Sequence, residues 1–175
     1  MSDQTNQTVR NLFVTAKAIQ AEVDTELGPP ESGAPSSSQL VLPFSIVRGT
    51  RGYLERVVNQ VNGCFERGWY DGCAVMVRRL LETLIIETFE HHKIAQKIKG
   101  PSGDFFYLAD LISACLSEQS WNLSRNTKSG LPRLKDIGDK SAHSRRFNAQ
   151  KGDVSPLLGD IRVVVQELIY LSALK

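Results

Sequence analysis

The sequence predicts an all-α fold: a helical bundle of four to five core helices plus an N-terminal helical arm. Two observations carry this. Apolar residues recur at three- and four-residue steps in one segment after another, which is the period of a helix face. No segment shows the period-two alternation on both sides of a turn that would mark a hairpin. The size agrees, since 175 residues with 41% apolar and 23% charged content suffice for one buried core.

The elements follow in order. Val9, Leu12, Phe13, Ala16, Ile19 and Val23 form one stripe, which Gly28-Pro29-Pro30 ends because proline cannot continue a helix. Residues 28–38 are rich in Pro, Gly and Ser and have nothing to bury. The expected organisation is therefore an amphipathic arm over 1–27, a linker with a short apolar segment over 28–48, and the bundle over 49–175. A second helix is expected from about Thr50 to Arg67 on the stripe Tyr53, Leu54, Val57, Val58, Val61 and Phe65, with Gly68 as its stop. Asp71 then suits the N-cap of a third. That helix is apolar on most sides through Ala74, Val77, Leu80, Leu81, Leu84, Ile85 and Phe89, so it belongs in the middle of the bundle. After the breakers Gly100-Pro101-Ser102-Gly103, Asp104 opens a helix with Leu108, Leu111, Ile112 and Cys115 inward. A polar passage precedes a helix from about Leu131 to His143, and Ser155-Pro156 starts the last one, with Ile161, Val164, Val165 and Leu168 inward.

Several function classes are absent. No apolar run is long enough to cross a bilayer, and the first residues lack a basic start followed by an apolar stretch, so the expectation is a cytoplasmic protein with no membrane partner. Cys64, Cys73 and Cys115 form no CxxC pair and read as buried small hydrophobes. There is no GxGxxG, GxxxxGK[ST], GxSxG or HExxH. Glu87 and His91 share a helix face at metal-ligand spacing, but no third ligand is evident; neither metal nor cofactor is expected.

Charge is unevenly placed. The formal net charge is +2, yet residues 125–151 carry eight basic side chains against Asp136 and Asp139, a local +6, leaving −4 elsewhere. A local basic excess is an electrostatic footprint for phosphate-bearing partners. Within it, Leu134-Lys-Asp-Ile-Gly-Asp-Lys-Ser-Ala-His143 is distinctive. Gly138 allows a close helix approach. Asp139 and His143, four apart, share a face with Lys135, and a carboxylate at that spacing can orient an imidazole for proton transfer.

With Ala74-x-x-x-x-Arg79-Leu80-Leu81-Glu82 upstream and an apolar terminal helix, this segment resembles the HEPN-like helical superfamily. The branch it is most similar to is an uncharacterised prokaryotic one with a G-[ND]-x-x-A-H helix end, also found attached to restriction-endonuclease subunits. The resemblance spans roughly Tyr53 to Leu174. It implies a homodimer with the two motif helices face to face and His143 near the two-fold axis; the nearly all-apolar third helix and the arm's stripe point to a second copy as well. In active members an Arg separated from the His by four to six intervening residues assists metal-free RNA cleavage. Here those positions are Asp136, Ile137 and Gly138, none cationic.

The resemblance therefore implies a dimeric binding or assembly module of prokaryotic defence or stress response, without the full catalytic motif. Its partner would be RNA, a nucleotide, or a restriction, defence or antitoxin protein. Lys135, Lys140, Arg145 and Arg146 are the expected contacts, with Arg78 and Arg79 from the third helix. The alternative is a toxin-like, metal-independent endoribonuclease with His143 and Asp139 as catalytic residues.

Overall fold

The structure, a computed structural model, describes residues 7, 11–19 and 40–175. The linker expected over 28–38 lies outside them. The described residues are mostly helical and form no strand, only an isolated antiparallel bridge between Lys99 and Phe105. None of the described helices is long and apolar enough to cross a membrane.

Residues 11–19 form α1, exposed throughout. The bundle comprises α2 (Phe44–Val47), α3 (Gly52–Glu66), α4 (Tyr70–His91), α5 (Leu108–Ser117), α6 (Arg125–His143), α7 (Lys151–Val154) and α8 (Leu158–Leu171). Central α4 packs on α3, α5, α6 and α8. Its inward residues run from Cys73 to Phe89, and Val75, Met76 and Ile86 are half-buried. The single chain thus covers the helix whose apolar surface had argued for a second copy.

Gly68 ends α3 as expected. At φ 73° it adopts the left-handed conformation, letting Trp69 N donate to Cys64 O at 2.8 Å. The next turn starts one residue before the expected cap. α4 begins at Tyr70, whose ring packs edge-on against Phe65 at 5.6 Å, and Asp71 lies within its first turn. The carboxylate of Asp71 instead accepts from Ala149 N at 3.0 Å, tying the chain after α6 to α4.

Two further boundaries move. Asp104 does not open α5: Phe106 N donates to Ile98 O and Gly100 N to Asp104 O, both at 2.9 Å, which keeps residues 104–106 off a helix until Leu108. α6 starts six residues before Leu131, at Arg125. Ser124 caps it by accepting from Thr127 N at 3.2 Å, and Glu167 on α8 accepts from both the backbone N–H and the hydroxyl of Ser124 at 2.6 Å, and from the Thr127 hydroxyl. Burial raises the Glu167 pKa, but these hydrogen bonds outweigh it and hold the carboxyl below its ordinary range.

The apolar segment before residue 49 belongs to the bundle and is no connector. Val41, Leu42 and Val47 are fully buried. Asn62 on α3 grips Leu42 in both directions, donating to its carbonyl at 2.8 Å and accepting from its N–H at 3.0 Å. Arg162 on α8 donates to the carbonyls of Val41 at 2.9 Å and Leu40 at 2.6 Å.

Candidate nucleic-acid interface

α6 carries the candidate residues, and two glycines set how it lies. At its N-terminal half a Cβ on Gly130 would stand 3.0 Å from Val164 Cγ2 of α8. At its C-terminal half a Cβ on Gly138 would stand 2.7 Å from the Cβ of Arg78 and 3.2 Å from the Ala74 carbonyl oxygen of α4. The close approach read from Gly138 is therefore real, and Ala74 and Arg78 of α4 are what it meets.

That crossing brings Arg78 to Asp139. Arg78 Nε donates to Asp139 Oδ1 at 2.7 Å, and Lys135 Nζ donates to Oδ2 at 2.5 Å. Burial raises the Asp139 pKa, but the hydrogen bonds and positive charges of Lys135 and Arg78 prevail and keep the carboxyl below its usual value. Each oxygen is thus engaged by a cation. No hydrogen bond joins Asp139 to His143, which is exposed at the last position of α6. The carboxylate–imidazole dyad expected from the i, i+4 spacing does not form, because α4 delivers a guanidinium to the same carboxylate.

The basic segment divides as well. Arg133 pairs with Asp160 at 2.9 Å, Lys140 with Asp136 at 2.8 Å, and Arg78 lies 3.7 Å from Glu82. The middle of α6 is therefore neutralised, partly within the helix and partly by α8. Arg125, Arg145, Arg146 and Lys151 are exposed and form no ion pair among the described residues. Arg125 stands alone at the start of α6, about 27 Å from its end at 1.5 Å per residue. His143, Arg145, Arg146 and Lys151 gather in sequence at that end. Arg79 is exposed on α4, about 100° round from Arg78.

The loop bearing Arg145 and Arg146 is anchored on both sides. Phe147 N donates to the Ser144 hydroxyl at 3.2 Å, Ala149 N donates to Asp71, and Gln150 and Asp153 form a reciprocal capping box at the start of α7. Sequence reasoning missed Asp71 and Glu167 as the positioning residues. Their partners lie 78 and 43 residues away in the chain, so no local pattern marks them.

The metal-ligand spacing of Glu87 and His91 is occupied otherwise. Glu87 accepts from Arg51 Nε at 3.1 Å and from the Tyr53 hydroxyl. Among the described residues no three His, Cys, Asp or Glu side chains gather as a metal would require.

Compared with known proteins, the chain matches no family model, no curated protein and no solved structure.

Proposed function

We propose that this chain is a HEPN-like binding module of prokaryotic defence or stress response that contacts RNA through the exposed cations at the end of α6. One observation carries the preference for binding over catalysis: Asp139 is held by Arg78 and Lys135 and not by His143. A histidine without its orienting carboxylate is a weak general base, whereas Arg145, Arg146 and Lys151 are free to meet phosphates. The anchored loop supports this, since its cations are displayed without a large ordering cost.

A filter-binding titration with single-stranded RNA tests the reading. Binding through phosphates weakens linearly in log K against log salt, by about 0.7 per contact on single strands. Replacing Arg145 and Arg146 together by alanine is expected to flatten the slope by about 1.4. No binding at low salt, or an unchanged slope, would sink the nucleic-acid reading and leave protein assembly.

One observation favours the second reading, a metal-independent endoribonuclease. Arg78 and Lys135 both stand at Asp139, one turn before His143, so either could take the part of the cation missing from positions 136–138. That reading requires RNA cleavage in EDTA that disappears in His143→Ala. Cleavage unaffected by the substitution would exclude His143 as the acting group.

A further inference from the structure

The way α4 and α6 cross brings a second feature to the basic end. The two helices run antiparallel: Gly138 meets Ala74 and Arg78, and the chain beyond the end of α6 meets α4 nearer its start, where Ala149 N donates to Asp71. From that crossing, five residues of α4 lead back from Ala74 to Trp69 at its N-cap, and five of α6 lead on from Gly138 to His143. Each step is about 7.5 Å at 1.5 Å per residue. The turn between α3 and α4 therefore lies level with the loop that carries Arg145 and Arg146. Arg146 is three residues from Ala149 and Lys151 two, so neither backbone stands more than about 11 Å from the amide that Asp71 holds.

Trp69 is 48% exposed, and among the described residues no hydrogen bond or ring contact engages its indole. The other tryptophan is used in the fold: Trp121 packs edge-on against Phe89 at 5.0 Å and donates to the Cys115 carbonyl at 3.2 Å. A flat indole left in water beside unpaired cations is the combination that holds single strands, because the cations follow the phosphates while any base has a π face to lay on the ring.

We infer that Trp69 is a stacking platform for an unpaired base, so that the basic end of α6 selects single-stranded over double-stranded RNA. The inference rests on the RNA-binding reading above and extends the interface onto the turn before α4. Phosphate contacts alone carry no such selectivity, since Arg145, Arg146 and Lys151 can meet the backbone of either form. A paired base inside a duplex has both faces covered by its neighbours and offers the indole nothing. A protein partner is the poorer fit. A protein-docking surface gathers apolar side chains at its centre and keeps charge at the rim, whereas the loop level with this ring exposes Ser144, Arg145, Arg146 and Asn148.

Fluorescence titration of the full chain with a single-stranded oligouridine of about ten nucleotides, beside a blunt RNA duplex of the same length, is the test. Stacking should quench the Trp69 emission; Trp121, held at Phe89 about 30 Å further along α4, should not contribute. Trp69→Leu keeps an apolar side chain and removes the π face. It is expected to weaken single-strand binding about five- to a hundredfold at an unchanged salt slope, and to leave duplex binding as it was. Trp69→Phe should keep most of the affinity. Saturation of the wild type without quenching overturns the inference, as does a Trp69→Leu protein that binds the single strand as tightly as the wild type. An equal loss on both RNAs overturns it too, because the side chain would then act through the fold. In each of these cases a slope flattened by replacing Arg145 and Arg146 leaves the RNA-binding reading standing, whereas no binding of either RNA at low salt ends both.

Discussion

Gly138→Ala is the sharpest perturbation the fold offers. The new methyl carbon would lie 2.7 Å from Arg78 Cβ and 3.2 Å from the Ala74 carbonyl oxygen. Carbon pairs rest at about 3.5–4.0 Å, so α4 and α6 must part by about 1 Å. Neither neighbour can swing aside, since one is a Cβ and the other backbone. Overpacking of this kind costs about 1–3 kcal/mol. The helix itself gains about 1 kcal/mol on replacing an interior glycine by alanine, and the disturbed Arg78–Asp139 pair takes some of that back. The expected net loss is about 1–2 kcal/mol. Gly63→Ala in α3 is the matched control, because nothing lies within 4 Å of its Cβ position. There the propensity gain stands alone, about 0.5–1 kcal/mol of added stability. Urea unfolding should separate the two variants by a shift of midpoint in opposite directions at unchanged m-value. In thermal melts the gap should be about 5–10 °C for a chain of this size. A Gly138→Ala protein as stable as the Gly63→Ala one would refute the close crossing of α4 and α6.

The acid limb of stability should report Asp139. Its folded pKa is depressed, so the stabilisation from Arg78 and Lys135 is complete above the ordinary carboxyl pKa near 4 and is lost as pH falls through the folded value. Asp139→Asn should therefore cost up to about 1 kcal/mol at pH 7 and progressively less as the pH falls below the ordinary carboxyl range, measured by thermal melts; a difference constant across pH would rule out the charge pairing. The thiols should react in a fixed order. Burial pushes Cys73 and Cys115 up to about 12, and lifts Cys64, which is only partly covered. A thiol-specific chromogenic reagent at pH 8 should modify Cys64 first, and the other two only on unfolding. Fast reaction of Cys73 or Cys115 in the native protein would contradict the packing around α4 and α5.

Much of the fold was legible because long helices announce themselves through inward Leu, Ile and Val. α3, α4 and α8 stand where their stripes put them, and Gly68 and Gly138 do what their positions demand. The sequence makes α6 look short because its first turns turn inward only Thr127 and Gly130, small residues that leave no stripe. Asp104 mimics a cap in the sequence, while the backbone bonds of Phe106 to Ile98 and of Gly100 to Asp104 that delay α5 depend on a loop closing. The basic segment was visible as composition. Which of its cations remain free was not, since Asp160 and Arg78 reach α6 from helices remote in sequence. The same cause hid the fate of Asp139: spacing along one helix proposes a partner, and a second helix can supply a better one.

The grip of Asn62 and Arg162 on Leu40, Val41 and Leu42 has a consequence for the order of folding. The two holders stand 20 and 121 residues further along. Closing the longer loop carries the larger entropic toll, though it grows only logarithmically with length. During synthesis Asn62 emerges soon after the segment, but Arg162 of α8 comes only 121 residues after Val41. Until then Val41 and Leu42 have a hydrogen-bonding partner on one side and no lid on the other. The segment thus acts as a latch that closes only once α8 has been made, and a nascent chain that stops short of α8 is expected to leave these two residues uncovered on that side.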